Sequence, residues 1–117
     1  MLINLKKFGD VEGKLSEIFI NNLPYPHIVL DNFLSIDIAE KILLEHKLNT
    51  NGKEWKPFVH FNEKKSAISK LEQMGPNTQK IVNELNSQRF IKWLESLTRI
   101  NNLIPDPSLD GGGLHLI

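Results

Sequence analysis

The sequence predicts an α+β chain in which helices gather on a few short strands. Three observations carry that prediction. Apolar residues recur at helical spacing in four separate stretches. Strand-like runs are short and scattered between them. No glycine-rich loop joins a strand to a helix in the manner of a nucleotide-binding βαβ unit.

Val11, Leu15, Ile18 and Phe19 fall at i, i+4, i+7 and i+8, one face of a first helix. Asn21-Asn22-Leu23-Pro24 ends it, because proline disfavours helical backbone at the residue before it. His27-Ile28-Val29-Leu30 is rich in β-branched residues and reads as a short buried strand, closed by Asp31-Asn32. Ser35 is placed to cap a second helix, with Asp37 in the first turn complementing the helix dipole. That helix is expected to bury Ile38, Ala39, Ile42 and Leu43 and to fray near Lys47. Asn49-Thr50-Asn51-Gly52 reads as a turn, since Asn and Gly tolerate positive φ. Residues 55–61 alternate bulky and polar side chains, and Pro57 restricts a strand there to a sheet edge.

Gly75-Pro76 starts a third helix, with proline at the first position where its missing N–H does no harm; Ile81, Val82 and Leu85 form its apolar face. Asn86-Ser87 supplies a break and a new cap. A fourth helix then carries Phe90, Ile91, Trp93, Leu94 and Leu97 inward. Pro105 and Pro107 keep residues 103–109 irregular. Gly111-Gly112-Gly113 launches a last strand, Leu114-His115-Leu116-Ile117. Four helical faces need more than two or three short strands to pack on, so the chain is expected to be part of a larger domain.

Composition narrows the function classes. Lys and Arg number 14 and Asp and Glu number 14, so the chain lacks the net positive field that nucleic acid or an acidic membrane surface attracts. Residues 53–70 hold five lysines against two glutamates, without the interleaved aromatics of a base-stacking platform, and read as a solvated loop or helix face. There is no cysteine, which excludes disulfides, thiolate zinc sites and cysteine nucleophiles. The start has no signal-peptide core and no apolar run approaches bilayer length. A soluble, cytoplasmic protein is expected, with neither nucleic acid nor membrane as partner.

Residue chemistry alone gives no active site. Of His27, His46, His60 and His115, none belongs to a His-x-Asp, His-x-His or His-Glu-x-x-His motif. His27 and His46 suit structural roles at the ends of elements, and His60 sits in the lysine-bearing stretch. His115 is the most interesting: strand alternation puts His115 and Ile117 on one face and Leu114 and Leu116 on the other. A hydrogen-bonded core histidine and a pocket-lining one are both open for that face. Asp106 and Asp110 offer a carboxylate pair, but Pro105-Asp106-Pro107-Ser108-Leu109-Asp110-Gly111 is turn chemistry, where aspartates bond local backbone amides. The triple glycine precedes a strand, the wrong context for a phosphate loop, and Ser87, Ser96 and Ser108 lack a nucleophile elbow.

Three segments together resemble the iron(II)/2-oxoglutarate-dependent dioxygenases of the prolyl 4-hydroxylase-like superfamily. The first is Pro24-Tyr25-Pro26-His27-Ile28-Val29-Leu30-Asp31-Asn32-Phe33-Leu34-Ser35, similar to the family's opening strand and its turn into a long helix. The second is Leu85-Asn86-Ser87 followed by Phe90, Leu94, Leu97-Thr98 and Ile100. The third runs from Leu103-Ile104-Pro105-Asp106-Pro107 to Gly111-Gly112-Gly113-Leu114-His115 and is the most specific. Arg99 departs from the pattern, standing where relatives often have glycine.

The resemblance implies helices packed on the first strands of a double-stranded β-helix, or jelly roll, here incomplete. It implies C–H hydroxylation coupled to decarboxylation of 2-oxoglutarate, with Fe(II) held by His-x-Asp and a later His. Neither ligand group is in this sequence, so residues 1–117 are expected to be the N-terminal part of such a domain, cut before the His-x-Asp and inactive alone. No catalytic residue and no metal ligand is carried over; His115 and Ile117 are expected to line the cosubstrate pocket. The partner is then the missing C-terminal half of the domain. The alternative is a non-catalytic interaction module that pairs or self-associates through strand 114–117.

Overall fold

In the computed structural model, residues 2–9, 11–49, 56–60, 63–110 and 112–116 are described. A 3₁₀ turn at Leu5–Phe8 closes through Gly9, whose N–H reaches the Lys6 carbonyl at 3.2 Å with φ of 75°. A wide π turn at Val11–Leu15 then runs into helix α1, Ser16–Asn21. The expected first helix is therefore present, but its first half is π-wound and wider than an α-helix, and Ser16 joins Phe19 toward the interior while Ile18 is exposed.

The strand expected at residues 27–30 does not form. The His27 N–H bonds the Phe19 carbonyl at 3.2 Å, and the Asn22 side chain donates to the His27 carbonyl at 3.1 Å. Those bonds fold the segment back against the end of α1, and Val29 is 78% exposed. β-branched residues favour a strand only where a neighbouring strand offers a ladder, and here the backbone is engaged by α1 instead.

Helix α2, Ile36–Asn49, starts as expected, with the Ile38 N–H 3.4 Å from Ser35 Oγ. Its inner edge is Ile38, Ile42 and Glu45 at i, i+4 and i+7; Ala39 and Leu43 are exposed. The helix is thus rotated from the expected face so that Glu45 reaches the next helix, and it continues past Lys47 to Asn49.

Strand β1, Lys56–His60, pairs antiparallel with β2, Glu63–Ile68, and β2 pairs antiparallel with β3, Leu114–Leu116, in the order β1-β2-β3. Pro57 lies in β1, on the sheet edge, as its missing donor demands. Strand β2 replaces the expected solvated stretch. Lys, Glu and Ser are poor strand formers, so this strand is dictated by pairing on both sides rather than by its own composition. Ala67 and Ile68, at its end, are buried. Gly113, at φ 114°, lets β3 approach: a Cβ there would run into the Ile68 backbone carbonyl. The turn expected at Thr50-Asn51-Gly52, and Trp55, Phe61, Gly111 and Ile117, lie outside the described residues.

A 3₁₀ turn at Leu71–Gln73 leads to helix α3, Pro76–Leu85, and Ser87 caps helix α4, Gln88–Thr98, by accepting from the Phe90 N–H at 3.2 Å. The core is built from Ile3, Leu5, Ala67, Ile68, Met74, Ile91 and Leu97. Beside it, four rings close a cycle: Phe8 to Phe33 (5.8 Å), Phe33 to Phe90 (6.2 Å), Phe90 to Trp93 (5.7 Å) and Trp93 to Phe8 (6.2 Å). The fold is a mixed helix–strand chain with an antiparallel sheet. A jelly roll needs two facing sheets, and the described residues hold one. No described helix is long and apolar enough to cross a membrane.

Candidate functional site

His115, the residue singled out in the sequence, sits in the middle of β3 opposite Ala67, with its side chain exposed while Leu114 and Leu116 turn inward. The alternation of the strand is as expected. Ile117, its expected companion, lies outside the described residues. No group of three or more His, Asp or Glu side chains among the described residues converges to hold a metal, so the residues described here do not fit an iron site.

Asp106 behaves as a turn residue. Its Oδ1 accepts from the Ser108 N–H at 3.1 Å and from Ser108 Oγ at 2.5 Å, and its own N–H donates to Asn86 Oδ1 at 3.1 Å. Asn86 Nδ2 returns a bond to the Asp106 carbonyl at 3.2 Å. The carboxylate is thereby spent on its own turn while the Asp106 backbone ties the loop to the junction of α3 and α4, and Asp110 joins the same turn through its N–H to Ser108 Oγ.

The carboxylates that matter most were not visible in the sequence. Glu45 on α2 accepts at one oxygen from the Asn77 N–H (2.9 Å) and Nδ2 (2.8 Å), and at the other from the Thr78 N–H (2.8 Å) and Oγ1 (2.7 Å). A carboxylate from 33 residues earlier thus caps α3, supplying the negative charge its N-terminus favours. Burial pushes the Glu45 carboxyl up, but the bonds from Thr78 and Asn77 outweigh it and hold the group below the ordinary glutamate range. Gly75 is the cradle for this contact: a Cβ there would overlap the Glu45 carboxyl group.

Glu84 on α3 does the same for the N-terminal segment, accepting from the Leu2 N–H at 2.5 Å and the Ile3 N–H at 2.8 Å. Arg89 donates to the Ile3 carbonyl at 3.3 Å. These bonds seat Ile3, 2% exposed, in the core. Arg99 adopts left-handed backbone at φ 58° after α4. Its guanidinium bonds Ser16 Oγ at 3.0 Å and Glu17 Oε1 at 2.6 Å, and the bond and charge of Arg99 hold the Glu17 carboxyl below its ordinary range.

Two surface hollows accompany these contacts. One, of about 330 Å³, runs along α2 over Asp37, Glu40, Lys41 and Leu44. The other, of about 260 Å³, lies between the Leu5–Phe8 turn and α4 over Leu5, Lys6, Gly9, Arg89 and Trp93. Neither contains His115 among its described lining residues. Comparison of the chain with protein-family models, with curated proteins and with solved structures finds no match.

Proposed function

We propose that this chain is the framework portion of an iron(II)/2-oxoglutarate dioxygenase-like domain, in which it buttresses the pocket and contributes its first strand but no iron ligand. The observation that carries the reading is the strand after the triple glycine. Leu114–Leu116 is formed, antiparallel, and hydrogen-bonded to β2 on one side, so its other edge is the place where a further strand of such a sheet would add. The three resembling segments support the same reading, since the third ends on this strand. Hydroxylation of a C–H bond with 2-oxoglutarate as cosubstrate is then the activity of the whole domain, and the 117 residues alone are inactive.

The second reading is a non-catalytic module that uses the β3 edge to pair with a partner or a second copy. The same edge of β3, unpaired among the described residues, favours it. The coding sequence beyond the Ile117 codon separates the two. A His-x-Asp within the next few strands' length supports the dioxygenase reading, and its absence leaves the interaction module. A cytoplasmic setting belongs to the same proposal, supported by the absence of cysteine from the sequence.

A further inference from the structure

Helix α2 adds little to the core. None of its described residues is fully buried, whereas the core draws on the N-terminal segment, β2, Met74 and α4. Ile38 and Ile42 reach only half-burial. Ile36, Leu43, Leu44 and Leu48 are each more than half exposed and so do little to seat the helix. Helix α2 packs against α3, and there the Glu45 carboxylate makes its four hydrogen bonds to Asn77 and Thr78. His46 and Lys47, in the last turn, are also engaged. The chain is anchored again just ahead of the helix, where Phe33 stacks on Phe8 at 5.8 Å and meets Phe90 edge-on at 6.2 Å. Few buried apolar contacts put an element at the low-stability end of a fold.

We propose that α2 is a detachable helix, latched to α3 by the Glu45 carboxylate, which swings away as one unit while the core stays assembled. The hinge is Leu34-Ser35, between the anchored Phe33 ring and the first turn of α2. Undocking exposes two half-buried isoleucines and hands the donors of Asn77 and Thr78 from Glu45 to water. The core residues keep their burial, so opening costs much less than unfolding the chain. The latch also makes a demand on α3. Gly75 has ordinary extended backbone, at φ −63° and ψ 159°, so its conformation does not require glycine. A Cβ there would nevertheless overlap the Glu45 carboxyl group, so what requires glycine is the room for the latch.

Native-state hydrogen exchange of the whole chain, read amide by amide by NMR across low urea concentrations, tests this. In the unsubstituted chain the central amides of α2 should exchange about tenfold or more faster than those of α4. Their urea dependence should also be weaker, because less surface opens. Ile91 is buried in α4, and Ile91→Val weakens the core alike in the docked and undocked forms. It should therefore speed α4 about two- to tenfold and leave α2 unchanged. Glu45→Ala removes the latch and keeps a strong helix former at that position, so it should speed α2 about five- to thirtyfold. Gly75→Ala, which displaces the carboxylate from the other side, should act in the same direction. The proposal is overturned if α2 and α4 exchange together in the unsubstituted chain, if Ile91→Val speeds both equally, or if Glu45→Ala leaves α2 unchanged.

Discussion

Glu45 and Arg99 each hold two distant parts of the chain together, and each makes a prediction at the level of one side chain. The Glu45 carboxylate caps α3 with four hydrogen bonds, so Glu45→Ala should cost about 1–2 kcal/mol in urea unfolding, the usual loss for an N-terminal cap. Its folded pKa is depressed, so its contribution is complete above the ordinary glutamate pKa and disappears as pH falls through the depressed value. The urea midpoint of the native chain should therefore fall through that acidic window more steeply than the midpoint of Glu45→Gln. Equal slopes would show that the cap does not form. At Arg99 the backbone is left-handed, a conformation that glycine adopts freely and alanine does not. Arg99→Gly and Arg99→Ala lose the same contacts to Ser16 and Glu17, so thermal unfolding should find the alanine variant less stable by about 1 kcal/mol. The caps Ser35 and Ser87 and the proline that opens α3, Pro76, were legible in the sequence because each is decided within one turn. Glu45 was not, because its partners lie 32 and 33 residues away and nothing in the local pattern names them.

At the scale of elements, propensity succeeded where packing agreed with it and failed where pairing decided. Helices α3 and α4 have strong caps and apolar residues on one face, and they form where the sequence expects them. Residues 27–30 have strand-like composition but no ladder; the His27 N–H goes to the Phe19 carbonyl of α1 and its carbonyl accepts from the Asn22 side chain. Glu63–Ile68 has the opposite character: unfavourable composition, yet β1 and β3 on its two sides. The N-terminal segment was silent in the sequence because the apolar run at Leu2, Ile3 and Leu5 is too short to show a period, and Glu84 and Arg89 show what seats it. Gly113 governs the attachment of β3. Gly113→Ala puts a methyl group against the Ile68 carbonyl and strains a positive φ. Hydrogen exchange at residues 114–116 should then accelerate strongly while the amides of α4 keep their protection. Unchanged exchange in β3 would mean that the close approach to Ile68 is not what seats the strand.

For the whole molecule, the sequence and the structure inform different parts of one account. The sequence supplies the resemblance to iron/2-oxoglutarate dioxygenases and holds no His-x-Asp, so in the proposed reading no iron ligand is assigned to these residues. The structure supplies a sheet whose last strand, β3, is paired on one side, and an exposed histidine in that strand. Why His115 would face a pocket was not legible, because a pocket wall is made by what faces a strand and not by the strand's own alternation. In the function proposed above, the 117 residues are framework and the iron chemistry resides outside them. Its most direct test is iron stoichiometry under anaerobic Fe(II), with 2-oxoglutarate turnover alongside, for this chain and for the chain extended through the coding sequence that follows. The account predicts no stoichiometric iron and no turnover for the 117 residues, and one iron per chain for the extended protein; stoichiometric iron on the 117 residues, or none on the extended chain, would contradict it.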